Sequence, residues 1–400
     1  VGGTPEATTA PAQAEAPETS GEPETPTEAP AANLSPIKLG NIQDLTGSAS
    51  ESGQANAWGV EYAVNEINAA GGINGRQIEL ITLDCKNDAE EALNAYRKLV
   101  DEHEIDALIG PPLSNSALTW VDLVTEDEIP CVGHFMDERC TTNPDTGEAY
   151  PYMFLAEPGC RQQAFSLAEF GLVKLGLKSF AMVYNSQNAF AVTQAQPFVE
   201  YVKAKGASVV AEETFTWADT DYSAQCIKVV NANPEAVVIT DYAAQAKLLT
   251  QQLRDAGFTG VILGANTFGP PFQTMYEGDL KGIYFLQNYD SYSKTAESYP
   301  LLQAYMAKFT KDYPVANACF GYDAVLVMAD AMRRASDPTN GPEVRDLLES
   351  VSGVATTSGP VKIDPASHRP TGIGMYIGEY SEDRSQVNIA AYIAVPEDAV

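Results

Sequence analysis

Residues 64–85, "VNEINAAGGINGRQIELITLDC", constrain the fold of this chain more than any other stretch. A helical pattern runs into them, with Val60, Ala63, Val64 and Ile67 on one face at i, i+3, i+4 and i+7. Gly71-Gly72 stops that helix, because glycine accepts the left-handed conformation of a helix cap. Asn74-Gly75 then turns the chain, and "QIELITLD" resumes as an apolar strand. Strand, helix and strand in this order are the crossover unit of a parallel sheet.

The alternation extends in both directions. "IKLGNIQ" is a short strand, "LTGSASESG" a glycine- and serine-rich loop, and "AEEALNAYRKLVDEHE" a helix with Leu93, Tyr96 and Val100 inward. "DALIGP", "NSALTWVDLVTED" and "IPCVGHF" read as strand, helix and strand. The order then recurs through "SFAMVYN", a helix around residues 198–205, "SVVAEETF", a helix around 224–230, "AVVITDY", "AQAKLLTQQLRDAG" and "GVILGAN". Apolar strands alternating with helices predict a doubly wound parallel α/β sheet. At 400 residues the chain exceeds one ordinary core, and the recurrence predicts two lobes of like architecture. The remainder reads as the helices "YPLLQAYMAKFTKDYP" and "CFGYDAVLVMADAMRRAS", then "GPVKID" and the strand pair "GIGMYIGEYSED" and "VNIAAYIAV".

Charge and composition narrow the partners. The chain carries 24 Lys plus Arg against 54 Asp plus Glu, a net charge of −30, which repels nucleic acid and anionic membranes. No apolar run reaches the roughly 18 residues that span a bilayer. The first 36 residues hold seven prolines and six glutamates but no Lys, Arg or aromatic residue, so they cannot bury enough surface to order themselves. They are expected to be an extended spacer between a membrane anchor missing from this chain and a folded domain. Six cysteines, none in C-x-x-C, fit three disulfides in an oxidising compartment or buried thiols, with Cys140–Cys160 the preferred bridge. Three histidines and no zinc spacing give no metal site, and no cofactor motif is present. G-x-S-x-G, H-E-x-x-H and phosphate-loop patterns are also missing, so nothing asks for catalysis.

In an open parallel sheet ligands bind beyond the carboxyl ends of the strands. That points to "GPPLSNS", where Ser114 caps the next helix and the N–H groups of Asn115 and Ser116 form an anion site, or where Ser114 is a cap alone. Asp137 and Glu138 in "HFMDERC" read as a cation site or a solvated loop, while Tyr242 and Asn266 follow strands of the second half.

The stretch "EYAVNEINAAGGINGRQIELITLDCKND" resembles the signature of type I periplasmic solute-binding proteins, the branched-chain amino acid-binding family of ABC importers. "LTGSASESG", "LVDEHEIDALIGPPLSNS" and "LTQQLRDAGFTGVILGAN" follow in the family's order, and the likeness covers about residues 37–395. It implies two Rossmann-like lobes joined by three segments, closing by a hinge on a solute for delivery to a membrane permease. The implied division is 1–36 spacer, 37–156 plus 288–360 lobe one, and 157–287 plus 361–400 lobe two. The implied protein is extracytoplasmic, monomeric and not an enzyme. Ser114 matches the family's carboxylate-gripping position, Met136 and Asp137 the strand-four loop, and Phe190 an aromatic packing on the ligand. Tyr242 matches a tyrosine of the amine site. Asn266 stands where an acid usually meets the amine, and Ser52 where the family has a bulky aromatic. The expected ligand is an amino acid or related small carboxylate; an aromatic acid, short amide or urea, or a sensor rather than transporter role, are the alternatives.

Overall fold

The computed structural model describes residues 2–3, 34–289, 299–309 and 315–394. The expected spacer lies almost wholly outside them. The first strands and helices are β1 (Ile37–Gln43), α1 (Ser50–Ala69), β2 (Ile78–Asp84), α2 (Ala89–Asp101), β3 (Ala107–Ile109), α3 (Ser114–Ala117), α4 (Leu123–Glu126), β4 (Cys131–Gly133) and β5 (Met153–Leu155). Their strands form one wholly parallel sheet in the order β2-β1-β3-β4-β5. The opening stretch behaves as its residues require: Gly71 and Gly72 have φ of 103° and 80°, and Asn74-Gly75 turns the chain into β2. The expected third helix is broken into the single turns α3 and α4.

The second sheet begins after α5 (Cys160–Glu169). It comprises β6 (Ser179–Asn185), α6 (Ala189–Ala204), β7 (Ser208–Phe215), α7 (Ser223–Ala232), β8 (Ala236–Thr240), α8 (Ala243–Asp255), β9 (Val261–Gly264), α9 (Phe272–Met275) and β10 (Ile283–Gln287). The chain continues through α10 (Pro300–Lys308), α11 (Val315–Arg334), α12 (Gly341–Glu349), β11 (Ser352–Ala355), β12 (Pro360–Asp364) and β13 (Arg369–Thr371). β14 (Gly374–Tyr380) and β15 (Val387–Ala394) return antiparallel to the edge of the second sheet, whose order is β15-β14-β10-β9-β8-β6-β7. β11, β12 and β13 form a small sheet of their own. Both large sheets reverse their winding at an inner strand, β1 in one and β6 in the other, and such switch points open a crevice at the carboxyl ends.

The first core unites Ile37, Val60, Val64, Ile109 and Val132 with Val325, Met328 and Met332 of α11. By length and composition α11 could cross a membrane, but 67% of that window is buried inside the protein, so it is a core helix. Two glycines let it approach α1. A Cβ on Gly59 would sit 2.0 Å from the carbonyl oxygen of Ala318, and one on Gly321 would sit 2.2 Å from that of Asn56. Val361, Ile363 and Ile373 also join this core. The second sheet carries a core on each face, around Phe180 and Phe198 on one and Ile239, Leu249 and Phe285 on the other.

The chain passes between the sheets after β5, after β10 and between β13 and β14. Near these passages Ser358 Oγ donates to both carboxylate oxygens of Glu157 (2.7 Å each), and Thr357 donates through N–H and Oγ to Asp323 (2.8 and 2.5 Å). Burial, and then the neighbouring Asp323, push the Glu157 carboxyl well above the usual range.

The expected disulfides are not formed. All six cysteines are free and buried. The Cys140 thiol faces the carbonyl of Ser114 (3.7 Å), whereas that of Cys160 faces the carbonyl of Phe190 (3.6 Å), so each preferred partner is engaged elsewhere. Burial pushes both thiols well above their ordinary pKa.

Candidate functional site

The loops at the carboxyl ends of the two sheets enclose a cavity of about 700 Å³. Its wall takes Ser48–Ser52 from the β1–α1 loop and the start of α1, Leu113 after β3, and His134 and Met136 after β4. The second sheet supplies Phe190, Trp217, Tyr242, Gln245, Asn266 and Gln287, and α11 supplies Asn317 and Phe320. This size fits the usual range for small-molecule sites.

Aromatic rings dominate one side. Tyr242 stacks against Phe190 with centroids 6.1 Å apart, and Trp217 lies 5.7 Å from Tyr242. Met136 of the first sheet packs with Phe190 and Ala265 of the second, and Tyr242 leans on this cluster and on the core behind α3. An apolar bridge therefore already joins the two walls.

Helices α1, α6, α8 and α11 present residues of their first turns to the cavity. The first N–H groups of a helix lack intrahelical partners and carry partial positive charge. Side chains cap two of the described α-helices: Asp88 accepts from Glu90 and Glu91 N–H (2.9 and 3.0 Å) at α2, and Asn340 from Glu343 N–H at α12. No side chain caps α1 or α8. Among the described residues lining the cavity, Glu51 is the one with a charged side chain, and it is exposed. His134 is neutral, because burial pushes its pKa well below the ordinary value. Asp241, just behind Tyr242, is pushed by burial up to about 7 against the opposing effect of Tyr242 N–H and the Asn188 amide.

The structure brings together Ser52, Met136, Phe190, Tyr242 and Asn266 on the wall. Ser114, Asn115, Ser116 and Asp137 stand behind it. Ser114 is the first residue of α3 rather than its cap, and its Oγ accepts from Asp137 N–H (3.1 Å). Ser116 Oγ accepts from the Cys85 thiol at 3.8 Å. Asp137 is fully buried and bound by Arg139 through Nε (3.1 Å) and Nη2 (2.6 Å), so it is neither a cation site nor a solvated loop. Asn266 Nδ2 donates to Asn288 Oδ1 (3.3 Å). The sequence reading missed His134, Trp217, Gln245 and Phe320. A usable signal was present at α8: "AVVITDYAAQAK" runs from strand to helix with tyrosine at the cap position, where Ser, Thr, Asp or Asn would normally close the end.

A family model described as periplasmic binding protein matches residues 36–385. This chain belongs to the periplasmic binding protein family. Members are non-enzymatic, extracytoplasmic solute receptors, and this binding protein is one of them. It is 27% identical over 326 residues to Leu/Ile/Val-binding protein homolog 3 of Brucella melitensis, covering 81% of this chain and 86% of that one. Among solved structures, a leucine-binding protein from Thermotoga maritima superposes with a TM-score of 0.79 at 23% identity, over 90% of this chain and 99% of that one. The isoleucine complex of LivJ from Streptococcus pneumoniae gives 0.75 at 26% identity, over 90% and 100%. A benzoate complex of a solute-binding protein from R. palustris gives 0.77 at 21%, over 90% and 98%.

Proposed function

We propose that this binding protein closes on a small organic acid with a flat, apolar body and no ammonium group, and hands it to an ABC permease. The observation that carries the reading is the uncapped N-terminus of α8 opening onto an aromatic-walled cavity. A carboxylate there accepts from backbone N–H groups at the positive end of the helix, with α1 and α11 adding to the same field. The rings of Phe190, Tyr242 and Trp217 receive the flat body. The similarity to a benzoate-bound relative supports this class. The lobes that close would be the two sheets with their helices, and the packing of Val361, Ile363 and Ile373 in the first core supports counting residues 361–373 with the first.

A second reading, an amino acid, is favoured by Glu51 on the wall and by the branched-chain relatives. In it Glu51 meets the ammonium in place of the acid missing at Asn266.

Benzoate against benzamide in a thermal-shift assay tests the anionic head. A ligand at a hundredfold its Kd adds about 2.7 kcal/mol of stability. Benzoate should raise the Tm and benzamide should not; equal shifts would remove the carboxylate from the reading.

A further inference from the structure

His134 is a buried polar group on the cavity wall, neither of whose ring nitrogens the carboxylate site uses. It follows β4, is 1% exposed, and its ring stacks on Phe320 of α11 with centroids 3.3 Å apart. Neither Nδ1 nor Nε2 has a hydrogen-bond partner among the described residues. Buried polar groups are nearly always paired, and one left unpaired costs the fold stability unless something else meets it. Gln287 also lines the cavity with an unpartnered amide, but its oxygen is turned to the sheet, where a Cβ added to Gly378 would lie 2.9 Å from it. The charged and titratable side chains of the site lie elsewhere: Asp137 is held by Arg139, and Glu51 is exposed.

We propose that His134 is a specificity-determining residue, reading a neutral hydrogen-bonding substituent on the ligand: a hydroxyl, carboxamide or ring nitrogen. The inference rests on the acid reading above and narrows it to aromatic acids that carry such a group. A neutral imidazole offers one donor and one acceptor, which a hydroxyl matches in either direction. The Cβ–Cγ torsion of histidine is roughly two-fold, and a half-turn exchanges the two edges of the ring while its plane stays against Phe320. His134 stands on the first sheet and the N-terminus of α8 on the second, so the two ends of such a ligand are gripped by opposite walls. Where the imidazole is buried, an analogue lacking the hydroxyl leaves it unpaired and is rejected strongly.

The test compares affinities within pairs that differ by one hydroxyl: benzoate against its three monohydroxy isomers, and phenylalanine against tyrosine. Calorimetry on the whole chain should give at least one hydroxybenzoate about tenfold or more tighter than benzoate. His134→Phe, which keeps the stack on Phe320, should bring that ratio to about one, and His134→Asn should keep part of it. An unchanged ratio in His134→Phe, or no preference in the wild type, overturns the inference. If only the phenylalanine–tyrosine pair binds, the acid reading fails, and His134 is judged by the tyrosine preference and its loss in His134→Phe. Binding of none of these probes contradicts both. A higher Tm of ligand-free His134→Phe reports that the variant folds and that the unpaired imidazole destabilised the parent.

Discussion

Two loops in the cavity wall hold the same topological place, each joining a parallel strand to the next helix, and they use their polar groups in opposite ways. Between β3 and α3 everything polar turns inward: Ser114 holds the strand-four loop through Asp137 N–H, and Asp137 binds Arg139. Between β8 and α8 the side chains leave the backbone N–H groups open to the cavity, and Tyr242 contributes a ring instead of a cap. One loop braces the wall through its side chains; the other is, on the proposed reading, the receptor. A serine or aspartate at a strand end is thus no guide to binding until its partners are known.

Asp241, the acid inside the receptor loop, should produce the largest effect. Its carboxyl stays protonated in the folded chain up to about pH 7, against 3.8 as its ordinary value. The folded form therefore holds the extra proton between these values. The stabilisation is complete below about pH 4 and is lost as pH rises through about 7. Asp241→Asn keeps an oxygen for Asn188 and Tyr242 N–H. It should flatten that slope and add up to about 4 kcal/mol at pH 8, read from urea denaturation at pH 5 and 8. An unchanged slope would mean the carboxyl is already ionised.

On the bracing side, Asp137→Ala strands the Arg139 N–H and releases an exposed guanidinium to solvent, and should cost about 1 kcal/mol of stability. Ligand affinity should move less than twofold once the protein is folded. A loss of binding with stability intact would make Asp137 part of the receptor and erase the contrast.

Gln245→Glu places one negative charge in the first turn of α8 with little change of shape. Benzoate affinity should fall about tenfold, near 1.4 kcal/mol, while the ligand-free protein gains about 0.3–1 kcal/mol from the helix dipole. Opposite signs from one substitution are the signature of an anion site; two losses would indicate damage instead. Ser114→Ala should have the smallest effect, about 1 kcal/mol of stability from the orphaned Asp137 N–H, with benzoate affinity unchanged in calorimetry.

The strands and long helices were legible because their apolar period and their glycine punctuation are local. β5, β11 and α12 escaped because a three- or four-residue strand or a nine-residue helix leaves little pattern to read. Membership of the wall was legible for Tyr242, which follows a strand end directly, and for Phe190 through the family resemblance. It was not for Ser114 or Asp137, whose roles depend on a bond between loops 23 residues apart. The cysteines mislead in the same way: an even count suggests pairing, but the thiols of Cys85, Cys140 and Cys160 each meet a buried carbonyl or hydroxyl of their own. His134 was hidden because burial without a partner is a property of the assembled cavity.

Calorimetric titration of the wild-type chain with benzoate and with leucine, under the same conditions, tests the central claim most directly. The account predicts binding of benzoate and at least tenfold weaker binding of leucine, whose ammonium finds no buried acid on the described wall. Leucine binding more tightly than benzoate would contradict it and return the site to an amino acid, with Glu51 as the partner to examine.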